Sequence, residues 1–322
     1  MTTKMVFHGS DIEKICAYYH LNKEDIVKFG ANVNPLGLSA SVKKEIAENI
    51  DLFSSYPDRD YVSLRNTISE YCRIPAEFIL PGNGSSELIS LLIQERAPKH
   101  TLILGPTYSE YSRELSFSGS TQEYYHLREE RNFTLDVEDL CKTLENGYDF
   151  LILCNPNNPT GISIDREFLF RVLRVCREMD ILLVVDECFL DFMEEPGRYT
   201  LKAQLSRYHN LFLLKAFTKR YAMAGIRLGY GITENTELLD AMTQVTQPWN
   251  ISVMAQAAGI AALKETAYVE EGRQMVFREA KYLKEELQRL GMEVFPSEAN
   301  YIFFHGPENL FISLIKIIGS FV

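Results

Sequence analysis

The sequence lacks an excess of positive charge. Its 322 residues include 33 lysines and arginines against 44 acids, so the formal net charge is −11 at pH 7. Nucleic acids and anionic membranes bind to basic faces, because such faces gain free energy by releasing counterions. The composition therefore argues against a nucleic-acid partner and a membrane partner. Any anionic ligand must be held by a local site.

Long apolar runs and paired cysteines are also missing. No stretch approaches the length of a membrane-spanning helix, and the first 20 residues carry acids and polar groups where a signal peptide needs an apolar run. The six cysteines form no CxxC pair, and several stand in apolar stretches, as is typical of reduced residues in a core. We expect a soluble, cytoplasmic protein, and we assign no metal ligands.

The order of apolar segments is typical of an α/β fold. The chain is long enough for one large domain and a smaller one. Beyond the first quarter of the sequence, short apolar runs alternate with helical patterns. The runs at residues 150–154 and 181–185 are continuously apolar, as expected for parallel strands that are covered on both faces.

One lysine stands in a small-residue loop after the apolar run 211–215. Lys219 follows Thr218, and Gly225 and Arg227 come shortly after it. A lysine that bonds to an aldehyde needs a rigid mount, a lowered pKa and an anion-binding arginine nearby. Short motifs give many false positives, so this stretch alone is equally compatible with a surface lysine in a turn.

Polar and aromatic side chains also follow four other predicted strands. Gly84, Ser85 and Ser86 open a helix, where unpaired N–H groups and the helix dipole form a cradle for an anion. Glu87 stands where a dinucleotide fingerprint has its third glycine, which argues against NAD, and the loop is not of the ATP-binding type. The other three strand ends carry an aromatic, an amide and an acid, namely Tyr108, Asn158 and Asp186.

Each of these residues has an ordinary structural explanation, such as a capped turn, core packing or a solvated rim. Their joint occurrence at successive strand ends does not. Together they are the groups that pyridoxal phosphate requires: a lysine for the aldehyde, an acid for the ring nitrogen, an amide for the ring hydroxyl, an aromatic ring to stack and a phosphate cradle.

The motifs in this order resemble the fold-type-I pyridoxal-phosphate enzymes of the class I/II aminotransferase family. They are Tyr-Pro-Asp at 56–58, Gly-Asn-Gly-Ser-Ser-Glu at 82–87, Asn-Pro-Asn-Asn-Pro-Thr-Gly at 155–161, Asp-Glu at 186–187, Thr-Lys at 218–219 and Gly-Ile-Arg-Leu-Gly-Tyr at 225–230. Several stretches, including His8-Gly9 and residues 31–37, are most similar to the threonine-phosphate decarboxylases of cobalamin biosynthesis. Histidinol-phosphate aminotransferases are the next most similar group.

The resemblance implies a fold and a domain division. The large domain has three αβα layers around a mostly parallel sheet, and the small domain is α+β. Residues 1–49 form an N-terminal arm that packs with the small domain, residues 50–262 form the large domain, and residues 263–322 form an incomplete small domain. A homodimer with a shared active site is expected.

The resemblance also implies a role for each site residue. Lys219 binds the cofactor aldehyde, Asp186 pairs with the ring nitrogen, Asn158 meets the ring hydroxyl and Tyr108 stacks on the ring. The cofactor phosphate is held by a larger set: Gly84, Ser85, Ser86, Thr218, Arg227 and, from the other subunit, Tyr56. His8 and Asn32 meet the phosphate of a small phosphorylated amino acid.

The sequence also departs from the family pattern. Many relatives have a serine in place of Ala216, so one hydrogen bond to the cofactor phosphate is missing here, a loss of roughly 1.5–3 kcal/mol. Phe189 replaces the tyrosine that aminotransferases often carry, which favours a decarboxylase over an aminotransferase. Relatives continue with a segment that carries substrate-binding arginines, so a third possibility is a truncated chain that binds cofactor with little turnover.

Overall fold

The structure is a computed structural model that describes residues 12–27, 29–30, 32–308 and 310. Contacts group the described residues into two compact units. The larger contains residues 33–281 and 295–303, and the smaller contains the described parts of 1–32, 282–294 and 304–322. The division at residues 49 and 262 stays a prediction.

The larger unit is built on a seven-stranded sheet with the strand order β1-β7-β6-β5-β4-β2-β3. The strands are β1 Ile79–Gly82, β2 His100–Gly105, β3 Thr121–His126, β4 Phe150–Cys154, β5 Leu182–Asp186, β6 Leu211–Ala216 and β7 Gly229–Ile232. Strands β2 to β6 are parallel to one another, whereas β7 is antiparallel to both β6 and β1. The predicted, mostly parallel sheet is confirmed.

Helices follow most of the strands, as the sequence pattern predicts. They are α1 Ile12–Tyr19, α2 Ala40–Glu48, α3 Val62–Cys72, α4 Gly84–Arg96, α5 Ser109–Ser118, α6 Val137–Thr143, α7 Arg166–Glu178, α8 Phe217–Arg220, α9 Thr236–Val245, α10 Val253–Ala262 and α11 Thr266–Arg289. Strands β8 Glu293–Val294 and β9 Phe304–His305 form an antiparallel pair in the smaller unit. Among the described residues, no helix combines the length and the apolar character that crossing a bilayer requires.

Successive residues of the central strands pack into opposite faces of the sheet. Leu151 and Leu153 of β4 belong to one buried cluster, while Phe150 and Ile152 belong to the other. Strands with such uninterrupted apolar sequences are stable only when both faces are covered, because each face must exclude water. The predicted three-layer arrangement of the large domain is therefore confirmed.

The register of the central strands brings their carboxyl ends together. Asp186 at the end of β5 pairs with Cys154 of β4 on one side and with Leu214 of β6 on the other. In open α/β sheets this edge is where ligands bind. The site residues that the sequence places after β4, β5 and β6 therefore start from neighbouring positions.

Asn34 ties the loop before α2 to the turn that carries Lys219. Its side chain is buried. Its Oδ1 accepts the Leu36 N–H, which closes an Asx turn, and its Nδ2 donates to the carbonyl of Arg220 at 3.0 Å. Its own N–H donates to the carbonyl of Lys219 at 2.8 Å. The loop therefore holds the end of α8, where unpaired carbonyls need donors.

Candidate active site

Lys219 is carried by a single helical turn directly after a buried strand. Strand β6 ends at Ala216, and α8 begins with Phe217, whose N–H donates to the carbonyl of Leu228. Phe217 is buried in the core, so the turn is anchored at its first residue. This is the rigid mount that the sequence predicts for the lysine.

The surroundings of Lys219 favour its neutral form. Burial lowers the pKa of the Lys219 ammonium below the usual lysine value, Cys188 and Asp186 oppose that shift, and Arg227 adds to it. The lysine is therefore close to both the acid and the arginine that the sequence predicts as its partners. A neutral amine is the form that attacks a carbonyl carbon.

Asp186 is 5% exposed and is held at both carboxylate oxygens. Oδ1 accepts the N–H of Cys188 at 2.9 Å, and Oδ2 accepts the hydroxyl of Tyr111 at 2.6 Å. Both donors are neutral, so neither brings a positive charge to the carboxylate. Asp186 is thus a buried acid whose orientation is fixed before any ligand binds.

The cradle at the start of α4 is built around glycine. Gly84 has a φ of +77°, and a Cβ on it would lie 2.5 Å from Nη2 of Arg227. A Cβ on Gly229 of β7 would lie 2.7 Å from the N atom of Ser85. Only glycine allows both close approaches. The guanidinium and the helix N-terminus therefore form one positive surface, and Arg227 itself adopts a left-handed φ of 62°.

Ser85, Ser86 and Tyr108 connect the cradle to the strand ends. Burial raises the pKa of Tyr108 to about 12, Glu110 and Asp186 act in the same direction, and the nearby Ser86 hydroxyl opposes them. Burial also raises the pKa of the Cys188 thiol, and the Ser85 hydroxyl opposes that shift. The two serines therefore lie beside the aromatic ring and beside the residue that donates to Asp186.

In the asparagine-rich loop after β4, two side-chain amides form hydrogen bonds within the fold and one does not. Asn155 donates to the carbonyls of Ile164 and Tyr199, and Asn157 donates to the carbonyl of Pro106 and the hydroxyl of Thr160. Asn158 is only partly buried, and in the described part of the chain no hydrogen bond uses its side chain. Its amide is therefore available to a ligand, and its role at the ring hydroxyl stays a prediction.

Two ion pairs, which the sequence did not reveal, join the loop after β5 to the segment around Lys219. Lys215 Nζ lies 2.6 Å from Oε2 of Glu187, a side chain with 0% exposure. Arg220 Nη1 lies 2.9 Å from Oδ1 of Asp191. Burial alone lowers the pKa of Lys215, but Glu187 and Asp191 outweigh it and raise that pKa. Burial raises the pKa of Asp191, but Arg220 and Lys215 outweigh it and lower that pKa.

The remaining predicted site residues lie elsewhere or outside the description. Thr218 is partly buried on α8, directly before Lys219. Tyr56 is 79% exposed and stacks on Trp249 with 4.6 Å between ring centroids. Asn32 belongs to the smaller unit and has a left-handed φ of 43°. His8 lies outside the described residues.

Sequence reasoning missed Tyr111 and Tyr301. The hydroxyl of Tyr301 donates to the carbonyl of Asn157 at 2.9 Å, and its ring packs edge-on against Phe189. A signal for Tyr111 was present, because it stands three residues after Tyr108 at the start of a helix, where such neighbours share a face. For Tyr301 no local pattern existed.

Comparisons with known proteins agree with this geometry. A sequence model of the family "Aminotransferase class I and II" matches residues 24–318. The chain is 31% identical over 296 residues to the threonine-phosphate decarboxylase of Salmonella typhimurium, and the alignment covers 92% of this chain and 80% of that protein.

Two solved structures are similar. The histidinol-phosphate aminotransferase of Clostridium acetobutylicum superposes with a TM-score of 0.82 at 34% identity, over 88% of this chain and 85% of that one. The histidinol-phosphate aminotransferase of Sinorhizobium meliloti, solved in complex with pyridoxal-5'-phosphate, gives a TM-score of 0.86 at 20% identity. That match covers 100% of this chain and 86% of the other, and it concerns the fold alone.

Lys215→Met should destabilise the protein strongly, because it leaves the Glu187 carboxylate buried without its cation. Breaking a buried pair in this way costs about 3–5 kcal/mol, whereas replacing both partners by apolar residues recovers much of the loss. We expect the double variant Lys215→Met with Glu187→Leu to be more stable than Lys215→Met alone in urea unfolding. The control is Asp165→Asn, which breaks an exposed pair with Arg198 and should cost no more than about 1 kcal/mol. A loss for Lys215→Met as small as the control's would contradict the structure.

Lys219 should react with an acylating reagent at lower pH than an ordinary lysine. A lowered pKa means that the neutral, reactive amine appears earlier as the pH rises. The cofactor-free protein is treated with acetic anhydride between about pH 7 and about pH 11. Mass spectrometry of the peptide that carries Lys219 gives the pH of half-maximal reaction, and the urea-unfolded protein is the control. Equal midpoints in the folded and unfolded protein would refute the lowered pKa.

Proposed function

The chain belongs to the class I and II aminotransferase family of pyridoxal-phosphate enzymes, and from that premise we propose that it decarboxylates a small phosphorylated amino acid of the threonine-phosphate type. The alternative is an aminotransferase of the histidinol-phosphate type. Both reactions use the same cofactor site, so the proposal has two parts: how the chain holds the cofactor, and which bond of the substrate is broken.

The cradle supports a phosphate group. Gly84 leaves space in front of Arg227, and α4 begins at Gly84, so the first N–H groups of this helix lack partners within the helix. Positive charge and N–H donors at a helix N-terminus bind phosphate without further help. Thr218 adds a hydroxyl from the turn that carries Lys219. We assign the phosphate of pyridoxal phosphate to five residues, namely Gly84, Ser85, Ser86, Thr218 and Arg227.

The strand ends support the cofactor ring. Asp186 is a buried acid held by neutral donors only, so its negative charge is available to a protonated ring nitrogen. Asn158 offers its amide to the ring hydroxyl, and Tyr108 offers an aromatic face. Lys219 would hold the aldehyde, since burial favours its neutral amine.

When bound, pyridoxal phosphate supplies an electron sink for a bond at the substrate Cα. The protein controls which bond is broken and moves the protons. In decarboxylation, Lys219 or water delivers a proton to Cα after carbon dioxide leaves. In transamination, Lys219 removes the proton from Cα instead. The two reactions therefore make different demands on the same amine.

Phe189 is the residue that favours decarboxylation over transamination in our proposal. It is buried, and the Nζ of Lys219 lies 5.2 Å from the centre of its ring. By resemblance, aminotransferases often have a tyrosine here that hydrogen-bonds to the ring hydroxyl, and a phenylalanine cannot make that bond. Asn158 is then the only predicted contact to the ring hydroxyl. This departure matches the threonine-phosphate decarboxylases better than the aminotransferases.

Incubation with threonine phosphate tests the proposal. The cofactor-loaded protein should release carbon dioxide and the corresponding amine without any keto-acid acceptor. Strict dependence on 2-oxoglutarate would instead support the aminotransferase. Lys219→Ala should abolish turnover and the visible absorption band of the bound cofactor, because the amine that holds the aldehyde is gone. A full band without turnover of either substrate would support a chain that binds cofactor but has little activity.

The phosphate of the substrate is assigned to His8 and Asn32 on the resemblance alone. His8 lies outside the described residues, and Asn32 lies in the smaller unit. A cytoplasmic location likewise stays a prediction. The six cysteines support it, since all are free thiols and four of them are buried.

We also propose that the active form is a homodimer in which Tyr56 reaches the cofactor phosphate of the partner. Apolar side chains are exposed around Tyr56, namely Ile50, Leu52, Phe53, Val62 and Trp249. An exposed apolar surface of this kind is typical of a protein–protein interface. Tyr56 itself is among the most exposed aromatic residues of the described chain.

Mixed dimers test the exchange of Tyr56. Tyr56→Ala and Lys219→Ala should each be impaired alone. If Tyr56 serves the partner's site, a hybrid of the two variants contains one site with both residues intact, so random mixing restores about a quarter of the wild-type activity. If Tyr56 serves its own site, every hybrid site lacks one residue and mixing restores nothing.

A further inference from the structure

Tyr111 is a buried residue of α5 to which neither the sequence motifs nor the predicted site assign a role. It stands in the first turn of α5 and its side chain has 0% exposure. Its hydroxyl donates to Oδ2 of Asp186 at 2.6 Å. Its ring meets the ring of Tyr108 edge-on, with 5.4 Å between centroids and an angle of 84°. One side chain therefore contacts both the acid and the aromatic ring of the site.

We propose that Tyr111 is a positioning residue for the cofactor ring, acting on Asp186 through its hydroxyl and on Tyr108 through its ring. The proposal rests on the roles that the proposed function gives to those two residues. Tyr111 itself need not touch the cofactor. Its two contacts can be removed separately by substitution.

The hydroxyl of Tyr111 acts as a donor to Asp186. Burial raises the pKa of Tyr111 well above the usual tyrosine value, and the charge of Asp186 acts in the same direction, as does Cys154. The phenol therefore stays protonated, and the carboxylate accepts. If pyridoxal phosphate is held as proposed, this donor would support a negative carboxylate opposite a protonated ring nitrogen, and its loss would favour the unprotonated nitrogen.

The bond from Tyr111 does more than give a buried phenol an acceptor, because it also orients the carboxylate of Asp186. The two oxygens of the carboxylate each accept one bond, from Tyr111 and from the backbone of Cys188. The Cys188 bond is local, since donor and acceptor are separated by a single residue along the chain. The Tyr111 bond comes from the helix after β2, 75 residues away in sequence. It ties the orientation of the carboxylate plane to a second element of the fold.

The ring of Tyr111 fixes Tyr108 in a complementary way. Edge-to-face contacts are the preferred geometry of aromatic pairs, since the positive edge of one ring meets the negative face of the other. The N–H of Tyr111 also donates to the carbonyl of Tyr108 at 3.3 Å. Tyr108 is therefore held by both the backbone and the ring of Tyr111, and a phenylalanine at position 111 would keep these two contacts.

The test compares Tyr111→Phe, Tyr111→Leu and the control Tyr148→Phe. Tyr148 is also buried, but its hydroxyl donates to Glu123 of the edge strand β3, which carries none of the predicted site residues. Each variant is loaded with pyridoxal phosphate that carries an isotopic label on the ring nitrogen, and the nitrogen NMR shift reports where the proton lies. Cofactor affinity and the circular dichroism of the bound cofactor are measured on the same samples.

Tyr111→Phe should move the nitrogen shift towards the unprotonated value and weaken cofactor binding about tenfold, the effect of one lost hydrogen bond to a charged group. Its cofactor circular dichroism should stay near wild type, because the edge contact remains. Tyr111→Leu should change both the nitrogen shift and the circular dichroism of the cofactor. An ortho-fluorinated tyrosine at position 111, a stronger donor with almost the same shape, should move the shift in the opposite direction and covers the case in which Tyr111→Phe does not fold.

The proposal would be overturned if the nitrogen shift were the same in Tyr111→Phe and Tyr148→Phe and if the fluorinated tyrosine also left that shift unchanged. Asp186→Asn separates this outcome from a failure of the proposed site. If Asp186→Asn changes the nitrogen shift and Tyr111→Phe does not, only the role of Tyr111 is wrong. If Asp186→Asn changes nothing, the assignment of Asp186 is wrong and the proposal for Tyr111 is overturned with it.

Discussion

One largely buried ion pair and one partly buried ion pair hold the turn that carries Lys219 against the loop that follows Asp186. Lys215 and Arg220 flank the lysine along the chain, and their partners Glu187 and Asp191 follow the acid. Buried charges are tolerated only in pairs, because a lone charge loses its hydration without compensation. The pairs therefore fix one relative position of the two segments. Any chemistry that needs an amine and an acid at a set separation depends on this arrangement.

The predicted anion site depends on the close approach that two glycines allow and not on the net charge of the chain. The chain is acidic overall, and yet Arg227 and the N-terminus of α4 meet at one point. Gly84 and Gly229 make that meeting possible, since a Cβ at either position would collide with its neighbour. A local positive surface inside an acidic protein discriminates against large polyanions, which are repelled by the surrounding charge. A small phosphate is the anion that such a surface is suited to bind.

The sequence predicted the strands and their ends well, but not the contacts between distant residues. The strand 150–154 has the predicted bounds. A run of five apolar residues between turn residues is typical of a strand that is buried on both faces of a sheet. The bonds of Tyr111 and Lys215 could not be predicted. Their partners lie 75 and 28 residues away, and no local period encodes such pairs.

The paired charges also explain why the site can tune its lysine with so few groups. The four residues of the two ion pairs lie close to Lys219 along the chain or in the adjoining loop. The pKa of Lys219 is nevertheless set by burial and by three other groups, namely Cys188, Asp186 and Arg227. A cation and an anion in contact cancel most of each other's field at a distance, so the pairs give position without changing the charge balance at the amine. The pKa of Lys219 is then free to respond to Asp186 and Arg227. We propose those two residues for the two ends of the cofactor, so a cofactor bound there would change the charges that act on the amine.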